Sequence, residues 1–394
     1  MAPPGTWKGF AMTDDQQAAL QHHDYAVYMG RFQLPTTAHL ASIHCALALA
    51  DTVIIVIGSH RQSRDLRNPF TSEEREVMIT AMLSSDERSR LRFIYQQDVG
   101  NRTRWSDEVQ AKVGILIARE GVKSPAIALV GPRKDATSAY LDDFPAWDLI
   151  DAPVYEQISA TDMRDGYFSA NRENFEQWQA GATAGRDGRP AIVHPAVAAW
   201  LRTFTATEEY ATLALEAQAR ERYLKPWQAA PHPPIFVTAD AVVIQAGKAL
   251  LVRRGILPGK AGYWGCPGGF VGQHQRVLDT ALEALIQETR IDLSRARLAE
   301  SLVETWVEDE PFRSTRGRTI THVHLFHLRP RPQGHTAAER HASLAHPRVK
   351  GVDGTHEARW FAFTEIEAMR EQLLEDHAVI INKALDRLAG RIGR

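Results

Sequence analysis

The stretch from Tyr25 to Leu40 constrains this chain more than any other. An apolar run ends at Gly30, a compact loop follows, and helical spacing begins near Ala38. A strand, a tight turn and a helix start bring backbone N–H groups and the positive end of a helix dipole to one point, which makes an anion site. Thr36 and His39, three apart at that helix start, face the same point. The surrounding fold is expected to be a parallel sheet whose strands end at this loop, because such sheets bind ligands at their carboxyl edge.

Residues 25–165 keep the rhythm this requires. Apolar runs at 26–29, 52–58, 91–95, 126–130 and 148–150 alternate with amphipathic stretches such as 73–83 and 109–119. Short Val/Ile runs between helices predict a sheet covered on both faces. Gly30, Gly58 and Gly131 each close a strand and are expected to rim one cleft. Thr71-Ser72-Glu73-Glu74 has the form of a capping box and sets a helix start. Helical patterns at 172–179, 195–204 and 208–222 follow, with a Gly-rich turn at 181–190, and Pro226, Pro231, Pro233 and Pro234 mark a linker. From Ile235 the rhythm changes to a hairpin around Ala246-Gly247, a Gly-rich turn at 266–270, a helix at 276–290, strands at 302–307, 319–328 and 358–363, and helices at 365–373 and 378–388. That is an α+β pattern.

At 394 residues the chain is too long for one ordinary domain. The expected division is a disordered extension at 1–23, an α/β domain at 24–190, a helical linker at 191–232 and a second domain at 233–394. A net charge of -2 without a long basic run argues against nucleic acid as a partner. No apolar run reaches the roughly 18 residues that span a membrane. Cys45 and Cys266 form neither a disulfide framework nor a zinc spacing. The expected compartment is the cytoplasm.

The loop gains meaning from a second motif. About 120 residues after His39 stands Ile158-Ser159-Ala160-Thr161-Asp162-Met163-Arg164. With Thr36-x-x-His39, this resembles the nucleotidyltransferases with a (His/Thr)-x-Gly-His first motif and an Ile-Ser-x-Thr-x-x-Arg second motif. Gly30-Arg31-Phe32-Gln33, Asn68-Pro69-Phe70-Thr71 with Glu73-Glu74-Arg75, and Gly131 with Lys134-Asp135 resemble the archaeal-type nicotinamide mononucleotide adenylyltransferases. Two departures stand out: Ala38 replaces the usual Gly, and Pro35 comes one place late, after Leu34. Ala38 is tolerable if its backbone is helical and costly if it needs positive φ.

The resemblance implies a Rossmann-like domain joining ATP, supplied with Mg²⁺, to nicotinamide mononucleotide, giving NAD and pyrophosphate. It assigns catalysis to Thr36, His39, Ser159 and Arg164. It assigns nucleotide binding to Gly30, Arg31, Phe32, Gly131, Lys134, Asp135, Ile158 and Thr161. For Trp105 two readings stand: stacking on nicotinamide, as the resemblance implies, or packing in the core. The attacking phosphate is already ionised near neutral pH, its second pKa being about 6. Catalysis is then positioning and charge neutralisation, with no strong general base required.

Gly268-Gly269-Phe270 followed by a helix resembles the Nudix hydrolases, whose box is Gly-x5-Glu-x7-Arg-Glu-U-x-Glu-Glu-x-Gly-U with U aliphatic. Gly269, Leu285 and Ile291 keep the frame. The metal carboxylate places read Ala284, Gln287 and Glu288, the earlier Glu is Gln275, the Arg is Glu283 and the late Gly is Arg290. A hard cation, Mn²⁺ or Mg²⁺, wants several carboxylates, and only Glu288 remains. The fold is expected to survive and hydrolysis to be weak or lost. Arg313, Arg316 and Arg318 resemble the substrate loop of the ADP-ribose branch; a solvated basic loop is the other reading. Over roughly 24–390 the arrangement resembles the bifunctional adenylyltransferase–Nudix proteins. The expected ligands are ATP, nicotinamide mononucleotide, NAD and ADP-ribose, and a homo-oligomer is compatible with the pattern. Two alternatives stay open: an active ADP-ribose pyrophosphatase whose site is rebuilt with Glu283 or Glu304, and a nucleotide-sensing regulator with both sites degraded.

Overall fold

The computed structural model describes residues 22–131, 141–152, 160–168, 192–255, 261–329, 345–351 and 357–392. Of the extension expected at 1–23, residues 1–21 lie outside them while His23 already begins a strand; the expected helix at 172–179 and the Gly-rich turn at 181–190 also lie outside them. By its contacts the chain divides into two units. The first runs to Arg61 and from Phe70 to Tyr210; the second holds Gln62–Pro69 and the chain from Ala211 onward.

The first unit is a Rossmann-like α/β layer. Its strands are β1 (His23–Gly30), β2 (Ala50–Ile57), β3 (Leu91–Tyr95), β4 (Ile127–Gly131) and β5 (Asp148–Asp151), in spatial order β3-β2-β1-β4-β5. All pairs are parallel. The connecting helices include α1 (Thr37–Leu49), α2 (Ser72–Ala81), α3 (Ser85–Ser89) and α4 (Arg102–Glu120); α5 (Ala160–Tyr167), α6 (Pro195–Phe204) and α7 (Glu208–Leu224) follow the sheet. The chain leaves β1 toward β2 on one side and returns to β4 on the other. The topological switch point therefore lies at β1, where a crevice opens at the carboxyl edge. Tyr25, Val27 and Met29 of β1 join Ile54, Val56, Val109, Val113 and Leu129 in one core. Ala26 and Tyr28 point the other way and are also buried, which explains the continuous apolar reading of this strand.

The second unit is a mixed sheet in the order β10-β11-β6-β7-β12, with two short strands alongside. Its strands are β6 (Phe236–Gln245), β7 (Lys248–Arg253), β8 (Trp264–Gly265), β9 (Gly268–Phe270), β10 (Leu302–Glu308), β11 (Thr319–His327) and β12 (Ala358–Ala362). Among these named strands β6 and β11 pair in parallel and the other pairs are antiparallel. Successive β6 residues feed two cores, Val242 and Ile244 on one face and Ala241 and Val243 on the other. Helix α8 (Val277–Thr289) contributes Ala281, Leu282 and Leu285 to one of these cores. α9 (Arg295–Glu300), α10 (Phe363–Ala368) and α11 (His377–Ile392) complete the unit. The hairpin turns at Ala246 (φ 44°) and Gly247 (φ 75°), both in the left-handed region that a tight two-residue turn requires. The helix expected at 365–373 is shorter: Met369 departs from helical geometry (φ -97°, ψ 20°), and a 3₁₀ turn follows at Arg370–Gln372. Among the described residues no helix is long and apolar enough to cross a membrane.

Candidate functional site

In the first unit, Gly30 ends β1 because the loop folds back on it. A Cβ at Gly30 would lie 2.9 Å from the Phe32 ring. Phe32 (φ 50°) and Leu34 (φ 85°) both take left-handed backbone, so two side chains turn inward and are buried. Such strain, of order 1–3 kcal/mol per residue, persists only where the surroundings over-determine it. Leu34 is the residue that delays Pro35, and its left-handed turn brings the chain back to Thr36 in time for the helix.

Helix α1 starts at Thr37 with a capping arrangement in which His39 takes the acceptor role. The Thr36 N–H donates to His39 Nδ1 at 2.9 Å. A neutral ring accepting at Nδ1 carries its proton on Nε2, so His39 presents a donor at Nε2. Its ring rests edge-on against Phe32 at 5.2 Å. The first turn of α1 holds no acidic residue, which leaves the positive end of its dipole unopposed. Ala38 lies inside this helix and is not among the positive-φ residues, so its methyl group carries no backbone cost there.

The two motifs meet at Arg164. Its Nη1 donates to the Gln33 carbonyl at 2.9 Å, and the side chain is buried. Arg164 is thus held inside the cleft and is not a solvated surface side chain. Gln33 is itself clamped, its amide exchanging two 3.1 Å bonds with the Phe70 backbone. Gly131 ends β4 beside Asp151, and its carbonyl accepts from the Ala152 N–H at 3.2 Å. Arg31 is exposed. Trp105 packs against the core that contains Phe144, ring to ring at 6.3 Å. Lys134, Asp135, Ile158 and Ser159 lie outside the described residues, as does the side chain of Thr161.

Sequence reasoning gave Arg75 no role in the site, yet it ties the cleft together. Only 1% exposed, it donates from Nη1 to the Gly58 carbonyl at 2.7 Å and to the Arg31 carbonyl, and from Nε to the Thr71 carbonyl at 3.0 Å. Burial holds its pKa down to about 10, so it stays charged at neutral pH. The signal was present in the pattern: Ser72, Arg75, Met78 and Ile79 share the buried stripe of α2, and a guanidinium on such a stripe needs several acceptors. The expected capping box at Thr71 and Glu74 is present in both directions, at 2.8 and 3.2 Å.

The second unit has a cavity of about 250 Å³ lined by Asp240, Arg254, Gly268, Phe270, Arg313, Arg316, Glu375 and His377, among others. Gly268 lets β9 close on β6, since a Cβ there would meet Asp240 Oδ1 at 2.1 Å. Glu288 is held by Arg254 Nη1 at 2.9 Å and by the Gly268 N–H at 3.2 Å. Glu283 accepts from the Gln275 amide at 2.7 Å, and Glu304 is held by Arg387. Among the described residues no group of three or more His, Cys, Asp and Glu side chains is placed to hold a metal ion.

The three arginines expected in one loop do three different things. Arg313 is buried and makes a bidentate pair with Asp376 at 2.8 and 2.9 Å. Arg316 covers the Phe270 ring at 5.1 Å. Arg318 donates to the Asp309 carbonyl and is not among the cavity-lining residues. Burial pushes Asp376 up to about 6 even beside Arg313, and pushes His377 down to about 4. His377 Nδ1 accepts the Cys266 N–H at 3.0 Å.

These two sites coincide with two family matches. Residues 27–166 match the cytidylyltransferase-like family, and residues 234–384 match the NUDIX domain. The nicotinamide/nicotinic acid mononucleotide adenylyltransferase of Acinetobacter baylyi is 38% identical over 146 residues, 37% of this chain and 76% of that protein. The nicotinamide-nucleotide adenylyltransferase of Thermococcus kodakarensis is 25% identical over 203 residues, 50% of this chain and 93% of that protein. A crystal structure of a bifunctional NMN adenylyltransferase/ADP ribose pyrophosphatase from Francisella tularensis, complexed with AMP and a Mn ion, superposes with a TM-score of 0.76 at 28% identity. It covers 93% of this chain and 99% of that one.

Proposed function

We propose that this chain, which belongs to the nicotinamide/nicotinic acid mononucleotide adenylyltransferase family, makes NAD from ATP and nicotinamide mononucleotide at the crevice of its first unit. The observation that carries the reading is the Arg164 to Gln33 bond, which joins the helix of the second motif to the loop of the first. An oxygen of the mononucleotide phosphate attacks the α-phosphorus of ATP, the bond to the β-phosphate bridge breaks, and pyrophosphate leaves. Mg²⁺ arrives as part of the ATP substrate. His39 Nε2–H and the start of α1 donate to the phosphate oxygens as charge develops. Arg164 and Arg75 hold the loop that positions them, and act through it. Arg31 and Lys134 hold the outer phosphates, and Ser159 adds a hydroxyl donor to the α- and β-phosphates.

The second unit, in this reading, is a Nudix domain that hydrolyses poorly or not at all. Three observations support it: Ala284 and Gln287 stand at ligand places, Glu288 is already bonded to Arg254 and Gly268, and the proposed substitutes Glu283 and Glu304 are engaged elsewhere. Among the described residues no group of side chains is gathered to hold a divalent metal. Purified protein given ATP, Mg²⁺ and nicotinamide mononucleotide is expected to form NAD and pyrophosphate in equal amounts; folded protein that forms neither defeats the assignment.

A further inference from the structure

Besides His39, the first unit carries a second imidazole at the carboxyl edge of its sheet. β2 closes at Gly58, whose N–H donates to the Gly30 carbonyl at 2.9 Å, and the residues that follow lie between the ends of β1 and β3. Ser59 (φ 50°) and Arg61 (φ 54°) both take left-handed backbone, so His60 stands between two strained residues. Bonds on each side hold the strain in place. Ser59 Oγ donates to Asp98 Oδ2 at 2.9 Å, the His60 N–H donates to the Gln96 carbonyl at 3.0 Å, and Arg75 Nη2 donates to the Ser59 carbonyl at 3.3 Å. What this turn fixes is the direction of one side chain.

The half-buried ring of His60 is held at its face and at Nδ1. It stacks on Tyr95 at 5.0 Å, and Nδ1 lies 2.9 Å from Ser72 Oγ. Ser72 is buried, and its Oγ accepts from Arg75 Nη2 at 3.0 Å. A guanidinium can only donate, so the Ser72 hydroxyl proton still needs an acceptor. Among the described residues that acceptor is His60 Nδ1; a proton on Nδ1 would strand the buried hydroxyl. The ring is therefore neutral, with its proton on Nε2. Burial lowers the pKa of His60 and favours the same form, with Arg61, Lys112 and Arg75 acting in that sense against Glu73. Among the described residues Nε2 has no hydrogen-bond partner, and it is not one of the buried polar atoms so left, so it opens to solvent.

In-line transfer puts the attacking and leaving oxygens on opposite sides of the α-phosphorus. In the reading above, Lys134, just after β4, holds the outer phosphates that leave, and β4 and β2 flank β1 on opposite sides. The mononucleotide then lies on the β2 side. We propose that His60 is a binding residue for the mononucleotide, donating from Nε2 to one of its oxygens, with Ser72 and Arg75 as positioning residues that hold the ring in that tautomer. The inference rests on the reading of the first unit as an adenylyltransferase. It gives the site two imidazole donors with separate tasks, His39 for the reacting phosphates and His60 for the nucleotide that attacks.

Two measurements on the full-length protein test it: calorimetric titration with nicotinamide mononucleotide alone, and steady-state NAD formation with each substrate varied in turn. His60→Ala is expected to weaken mononucleotide binding and raise its KM by roughly 3- to 20-fold, the loss of one neutral donor, with the KM for ATP changing by less than about twofold. His60→Gln, whose amide nitrogen can stand in for Nε2, is expected to recover part of the loss. Ser72→Ala frees the tautomer and is expected to raise the mononucleotide KM by about two- to threefold while sparing that for ATP. Unchanged mononucleotide affinity in His60→Ala, or KM values for both substrates rising together, overturns the inference. If His60→Ala does not fold, His60→Gln and Ser72→Ala decide, and an unchanged mononucleotide KM in both overturns it. Wild type that binds the mononucleotide and forms no NAD defeats the adenylyltransferase reading separately, because the titrations still report the role of His60. Wild type that does not bind the mononucleotide overturns both.

Discussion

Arg164 and Arg254 are both arginines that donate to the backbone carbonyl of a loop at a candidate site, and their consequences differ. Arg164 donates to the Gln33 carbonyl and leaves the chemistry at the start of α1 intact. Arg254 donates to the Cys266 carbonyl and also takes Glu288, the one box carboxylate that remains. The difference follows from what each reaction asks of the protein. Adenylyl transfer to a phosphate needs donors in fixed positions, and in the proposed reading a strained loop, a helix start and a histidine tautomer supply them. Hydrolysis at a Nudix box needs a cluster of carboxylates around a hard cation, so under the proposed reading a few substitutions would remove the function and spare the fold. Leu285 and Ile291 still fill the core behind the box.

The largest expected effect tests the first half of that contrast. His39→Ala should lower kcat for NAD formation by roughly 100- to 1,000-fold, as for removal of one transition-state donor. Steady-state kinetics would show it, and an effect confined to a raised KM would assign His39 to ground-state binding.

The next effect concerns stability in the second unit. His377 has a folded pKa of about 4, below the ordinary value of 6.5, because burial disfavours its charged form. The unfolded chain therefore binds the extra proton between those values, and this contribution is present above pH 6.5 and lost as pH falls toward 4. Its size is about 3 kcal/mol. Asp376, pushed up to about 6, acts in the opposite sense over part of the same range, so the test is a difference. Urea unfolding of wild type against His377→Gln should give a stability gap that is widest at pH 7 and narrows toward pH 4.5. A gap independent of pH would contradict the assignment.

A smaller effect separates missing ligands from an obstructing cation. Ala284→Glu with Gln287→Glu restores two carboxylates. Adding Arg254→Met should then tighten Mn²⁺ binding by roughly tenfold or more over the double variant, because Glu288 is released. Equal affinity in the two variants would mean that Arg254 does not compete with metal. The smallest effect is at Ala38. Restoring Gly there should leave kcat unchanged and lower stability by at most about 1 kcal/mol, since the position is helical. A gain in kcat would show that the alanine crowds the phosphates.

Much of the first site was legible in the sequence because its parts are local. The strand, turn and helix start of 25–40 and the capping box at Thr71 are patterns of neighbouring residues, and each is present. The effect of Leu34 was not legible, because a left-handed leucine is selected by burial of its side chain and not by its own preference. Long-range partners were hidden for a different reason. Arg313 meets Asp376 across 63 residues, and Arg254 meets Glu288 across 34. A basic loop reads the same in sequence whether its charges face water, a ligand or a buried carboxylate. Arg75 lay between these cases, since its place on an apolar stripe was visible while its carbonyl partners were not.

The most direct measurement follows both units in one sample. Purified protein would be incubated with ATP, nicotinamide mononucleotide, ADP-ribose, Mg²⁺ and Mn²⁺, and the nucleotides separated by chromatography over time. NAD should accumulate as ATP and the mononucleotide are consumed, with ADP-ribose undiminished and no AMP formed from it. Absence of NAD from folded protein, or cleavage of ADP-ribose to AMP at a rate comparable to NAD formation, would contradict the account.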